Sequence, residues 1–96
     1  MKMNFPCRSF AVAFDHNNHE LLAGCADGKV QTLNLTTGHH GVVLNLPEPV
    51  GIIRTAMSSN QNALCCTVRD FEDQKRPTSL QIWNYRELYA SRLANL

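Results

Sequence analysis

The sequence predicts an all-β chain built of two four-stranded antiparallel units. Three observations carry this reading. The chain repeats itself once along its length. Apolar residues alternate with small or polar ones in short runs, the period-2 signature of strands. Turn-forming residues separate those runs at matching places in the two halves.

The repeat comes first because it organises everything else. Shifted by 43 positions, residues 10–27 fall on 53–70 without a gap, bringing Ala13 onto Ala56, Asn17 onto Asn60, Leu21 onto Leu64 and Asp27 onto Asp70. Shifted by 50, residues 30–46 fall on 80–96, and Gln31 meets Gln81, Asn34 meets Asn84, Asn45 meets Asn95 and Leu46 meets Leu96. One insertion between Asp70 and Leu80 reconciles the two shifts. Eight identities in 35 aligned pairs are few, so the shared pattern of turns and apolar positions carries more weight. Residues 1–8 form a lead-in, 9–47 the first unit, and 51–96 the second unit with a hairpin insertion at 70–79.

In the first unit, Phe10–Phe14 alternates large and small residues, and the polar run Asp15–His19 turns the chain. Glu20–Cys25 is the second strand. Asp27-Gly28 follows, a pair that tolerates the positive φ of a two-residue type I′ hairpin. Lys29–Leu35 is the third strand, Thr37-Gly38 turns again, and Gly41–Leu46 is the fourth.

The second unit repeats this with strands at Ile52–Met57, Ala63–Val68 and Leu80–Tyr85, and a turn at 58–62. No helix is expected within 9–35 or 52–85. Pro47-Glu48-Pro49 joins the units, where proline removes no ladder hydrogen bond. The last segment has two readings. The repeat register expects a strand over Tyr89–Leu96. Its helix-forming composition, with Tyr85, Tyr89 and Leu93 four apart, fits a helical face.

Four strands per unit of about 40–45 residues is the pattern of a WD-repeat β-propeller blade. The stretch Leu21–Gly38, with Asp27-Gly28 before a strand, resembles that family in detail. By this match Leu33-Asn34 and Trp83-Asn84 stand at the Trp-Asp position. The sequence departs from the pattern where Leu33 replaces Trp, where Asn34 and Asn84 replace Asp, and where the Pro47–Gly51 junction lacks the Gly-His pair. The second unit, with its charged hairpin, also resembles blades of the i subunit of translation initiation factor three. Propellers of the mRNA-export and spindle-checkpoint type carry such loops too. The resemblance implies structural roles for Asp27, Gly28, Leu33, Asn34, Trp83 and Asn84, with Leu33 and Trp83 buried at equivalent places. A closed propeller needs roughly 4–8 blades, so two make an incomplete one.

The implied function is a non-catalytic protein-interaction scaffold, part of a larger propeller or multisubunit assembly. The alternative is a lectin-like or small-ligand-binding propeller assembled from two-blade units. In the family the loop between the second and third strands lies on the same face as the loop between units, so the resemblance implies partner-binding candidates in the insertion and the junction: Phe71, Lys75 and Arg76, with Glu48. Aromatic and Arg side chains are favoured interface anchors.

Bulk chemistry narrows the rest. A net charge of +1 with 18% charged residues gives no reason to expect nucleic acid or an anionic membrane as partner. No apolar run approaches the roughly 18 residues of a membrane span, and the N-terminus has no apolar signal region, which points to the cytosol or nucleus. Reduced thiols are therefore expected for all four cysteines, with Cys65 and Cys66 adjacent. His16 and His19 stand one residue too close for a zinc pair and no Cys-x-x-Cys exists, so no metal is expected. No cofactor motif and no cysteine–histidine nucleophile pattern is present, so no enzyme is expected.

Overall fold

The structure, a computed structural model, describes residues 8–47, 50–70, 72 and 78–94. The described residues form seven strands and one helix: β1 Ser9–Asp15, β2 Glu20–Cys25, β3 Lys29–Asn34, β4 His40–Asn45, β5 Val50–Met57, β6 Ala63–Asp70, β7 Thr78–Asn84 and α1 Tyr85–Ala94. They make two antiparallel sheets, β1-β2-β3-β4 and β5-β6-β7.

The internal repeat reappears in the strand registers. Leu21 pairs with Leu33 and Glu20 with Asn34. The residues 43 and 50 positions further on do the same, Leu64 with Trp83 and Ala63 with Asn84. Phe14 faces Leu21 as Met57 faces Leu64, and both ladders skip one residue at the same place, between Ser9 and Ala11 and between Ile52 and Arg54.

The sheets stack with unlike faces in contact. Alternation puts Leu22 and Val30 of the first sheet into one buried cluster with Ile52, Leu64, Cys66 and Val68 of the second. By the repeat, Leu64, Cys66 and Val68 are the counterparts of Leu21, Ala23 and Cys25. Those three lie on the face of β2 opposite Leu22, pointing away from the second sheet. The stacking is therefore head to tail. β1 and β2 pack on β5. The approach is so close that a Cβ on Gly24 would lie 2.6 Å from Ile52 Cγ2 and 2.7 Å from Thr55 Cγ2.

Two expectations about the elements need correction. The second unit has no fourth strand among the described residues. Helix α1 stands in its place and begins at Tyr85, the last residue of a stretch expected to hold no helix. The cause is local. Asn34 and Asn84 occupy the same register position, and both side chains cap a helical turn. Asn34 Oδ1 accepts from the Thr36 and Thr37 N–H groups at 2.9 Å, and the Gly38 N–H donates to the Asn34 carbonyl at 2.8 Å. Gly38 then takes φ +76, which ends the turn and releases the chain into β4. Asn84 Oδ1 accepts from the Glu87 N–H at 3.1 Å. The residue at the Gly38 position is now Leu88, whose side chain resists positive φ. Strong helix formers follow, and the turn propagates.

The hairpin at Asp27-Gly28 is also not a two-residue type I′ turn. β2 and β3 are joined by Ala26, Asp27 and Gly28, the Gly28 N–H donates to the Cys25 carbonyl at 3.2 Å, and Gly28 alone has positive φ, +87. This is the pattern of a type I turn followed by a left-handed glycine.

Leu33 and Trp83 pair as expected at equivalent places but are half-buried, Trp83 resting against the core. Cys25 is disulfide-bonded, against the expectation of reduced thiols, while Cys65 and Cys66 are free.

Gly24→Ala should lower stability by roughly 1–3 kcal/mol through overpacking against Ile52. A thermal melt that does not move would show that the sheets do not meet there. Leu88→Gly should cost about 1 kcal/mol of helix propensity, with more from lost packing, because Leu88 rests against the core. The readout is far-ultraviolet circular dichroism, where an undiminished helical signal would refute the propagation argument.

Candidate functional site

The polar chemistry of the described residues gathers where α1 meets the β1–β2 turn. Asp15 ends β1 and Glu20 begins β2, and the two pair across the ladder. Both are buried, at 0% and 5% exposure. Buried carboxylates require partners. Asp15 Oδ1 accepts from the Asn17 and Asn18 N–H groups at 3.0 and 3.2 Å, and Oδ2 accepts from Asn18 Nδ2 at 2.8 Å. The Tyr85 hydroxyl donates to Oδ2 at 2.8 Å.

Glu20 receives the other end of the helix. Arg92 Nη2 donates to Glu20 Oε1 at 2.7 Å, and Nη1 donates to Thr32 Oγ1 at 3.0 Å. The guanidinium also lies over the Tyr89 ring at 4.5 Å from its centroid, a cation–π contact. Tyr85, Leu88, Tyr89 and Arg92 thus form the docking stripe of α1 at i, i+3, i+4 and i+7. Leu93, on the sequence-read apolar face, is 47% exposed.

Beside this stripe a groove of about 520 Å³ opens between α1 and the β3–β4 hairpin. Glu20, Thr32, Tyr89 and Arg92 form its floor and one wall, and His39 and His40 its rim. The Arg92 charge is neutralised within the floor by Glu20, and burial works against that charge. Glu20, by hydrogen bond and by field, more than offsets burial and holds the guanidinium above its ordinary pKa. The free thiols lie elsewhere, on β6. Burial, reinforced by Cys65, pushes Cys66 up to about 12, so it stays protonated near neutral pH. Among the described residues no group of three or more His, Cys, Asp or Glu is placed to hold a metal ion.

The residues singled out from sequence do not meet here. Glu48, Phe71, Lys75 and Arg76 lie outside the described residues. Asp27 accepts the Lys29 N–H at 3.1 Å and closes the hairpin. Asn34 and Asn84 cap their turns, and Asn34 also borders the groove. Sequence reasoning missed Asp15, Glu20, Tyr85 and Arg92. The one available signal was two acids bracketing a turn and a helical stripe that ends in Arg. Compared with protein-family models and with curated proteins, the chain matches none.

Stability should fall at alkaline pH. Cys66 is raised from 9.0, and Tyr85 is raised from 10.0 by burial and by its hydrogen bond to Asp15. The folded chain holds both protons more tightly than the unfolded one. The stability they confer is complete below pH 9 and declines as pH rises past the two unfolded values. Tyr85→Phe should melt lower than wild type at neutral pH, by roughly 1–3 kcal/mol, because Asp15 loses a donor. Its decline above pH 10 should be shallower. Parallel curves for the two proteins would refute the Tyr85 contribution.

Proposed function

We propose that the chain is a non-catalytic protein-interaction scaffold, two WD-repeat-type blades working within a larger propeller or multisubunit assembly in the cytoplasm or nucleus. The observation that supports this most is the head-to-tail stacking of two units with the same strand register. Head-to-tail contacts can repeat, closing into a ring where the rotation allows and running on as an open filament where it does not. The chain's mechanism is rigid presentation of loops, with the segment 70–79 as the contact element. The resemblance to the i subunit of translation initiation factor three makes translation initiation the first setting to test.

The alternative, a ligand-binding propeller of two-blade units, needs equivalent pockets in each unit. The groove beside Arg92 does not favour it. That groove is bounded by α1 and β4, and each stands at the register position where the other unit has something different.

Affinity capture with crosslinking from a cytosolic extract tests the scaffold reading. The wild-type chain should retain a defined partner, and a Phe71→Ala, Arg76→Ala double variant should retain it at least about tenfold less at an unchanged melting temperature. Equal retention by the two, or no partner above background for the wild type, overturns the reading.

A further inference from the structure

We propose that the free edge of β7 is a self-association site, where two copies of the chain pair their β7 strands antiparallel into one six-stranded sheet. Among the described residues β7 pairs only with β6. Unpaired strand edges recruit other chains unless a charge, a proline or a bulge protects them.

The described residues form four edge strands, and three are bulged. β1 carries an extra residue between Ser9 and Ala11, β4 one between Val42 and Leu44, and β5 one between Ile52 and Arg54. β7 runs opposite β6 over seven consecutive pairs, Thr78 to Asn84, without a break in register. Its sequence, Thr-Ser-Leu-Gln-Ile-Trp-Asn, contains no charged residue and no proline. Among the described residues of this edge there is no charge, no proline and no bulge.

The edge also fits itself. Leu80 and Ile82 point out of the sheet on one face and are 68% and 64% exposed, while their counterparts in the first unit, Val30 and Thr32, are fully buried. They flank Gln81 symmetrically. An antiparallel pair centred on Gln81 sets Leu80 against the second copy's Ile82 and Ile82 against its Leu80. Both apolar residues are then covered in cross-strand pairs. The new ladder continues the β6–β7 ladder, and with no charge on either strand no repulsion opposes the pairing. A two-fold pairing of this kind is finite and is the commonest symmetry of homo-oligomers. The occupant of this edge is therefore a second copy.

The inference does not rest on the scaffold reading. The capture experiment alters the segment 70–79, and the test here alters β7, so either can fail alone.

Sedimentation equilibrium of the whole chain from about 1 to 100 micromolar tests it, the range in which a small interface dissociates. The wild type should pass reversibly from its 10.8 kDa monomer to twice that mass. Ile82→Lys should stay monomeric throughout with an unchanged melt, since residue 82 is exposed. Val42→Lys, at a 41% exposed apolar position on β4, should still dimerise. Hydrogen exchange at 78–84 should slow in the wild type as concentration rises. A monomeric wild type at the highest concentration overturns the proposal. So does an Ile82→Lys dimer, or association lost with Val42→Lys and kept with Ile82→Lys.

Discussion

Two carboxylates inside the fold set the terms for everything around them. Asp15 and Glu20 sit at either end of one turn with almost no contact with water. An unpartnered buried carboxylate costs several kcal/mol, more than a small fold has to spare. Local atoms satisfy only part of Asp15, through the Asn17 and Asn18 amides. The remainder comes from α1, with Tyr85 reaching Asp15 and Arg92 reaching Glu20. The helix is thus the counterpart of the first turn, although it lies at the far end of the sequence. Removing Arg92 would leave the buried Glu20 charge uncompensated, the costly way to break such a pair, and removing the Tyr85 hydroxyl would take a donor from Asp15.

The helix exists because two otherwise equivalent positions differ. Asn34 and Asn84 do the same capping work. Four residues after each, Gly38 ends a turn and Leu88 lets it run on. One unit therefore closes its sheet with β4, and in the other, among the described residues, α1 stands where a fourth strand would and packs on the first unit's β4. That helix packs on β4 as well as on β6 and β7, filling the space between the outer strands of the two sheets. A repeat broken at one glycine produces both the polar anchorage of the molecule and its open edge.

The parts legible in the sequence are those that depend on neighbours. The 43- and 50-residue shifts translate directly into cross-strand pairs such as Leu21–Leu33 and Leu64–Trp83, because period-2 patterning and turn residues act over a few positions. The turns at 15–19 and 58–62 were readable for the same reason. The closure of the second unit was not, because register argued for strand and composition for helix, and only the Gly38 and Leu88 comparison decides between them. Asp27-Gly28 misled by dipeptide, because the same pair also suits a longer loop with one left-handed residue. The pairs Asp15–Tyr85 and Glu20–Arg92 span 70 and 72 positions, and although the two acids around a turn and the stripe ending in Arg92 are visible locally, nothing in a single sequence pairs them across that range. The Cys25 disulfide was not legible because neither a secretory signal nor the cysteine spacing, with Cys65 and Cys66 adjacent, marks it.

That same span orders events in time. A ribosome makes Asp15 and Glu20 early and must add some seventy further residues before Tyr85 and Arg92 exist. Until then Asp15 has only water and its local Asn17 and Asn18 donors, and Glu20 lacks its guanidinium. Contacts so distant along a chain are slow to form, since the loop they close must first lose its freedom. The polar lock can therefore close only after the whole span between its two halves has been made, whereas the β1–β2 hairpin depends on near neighbours alone.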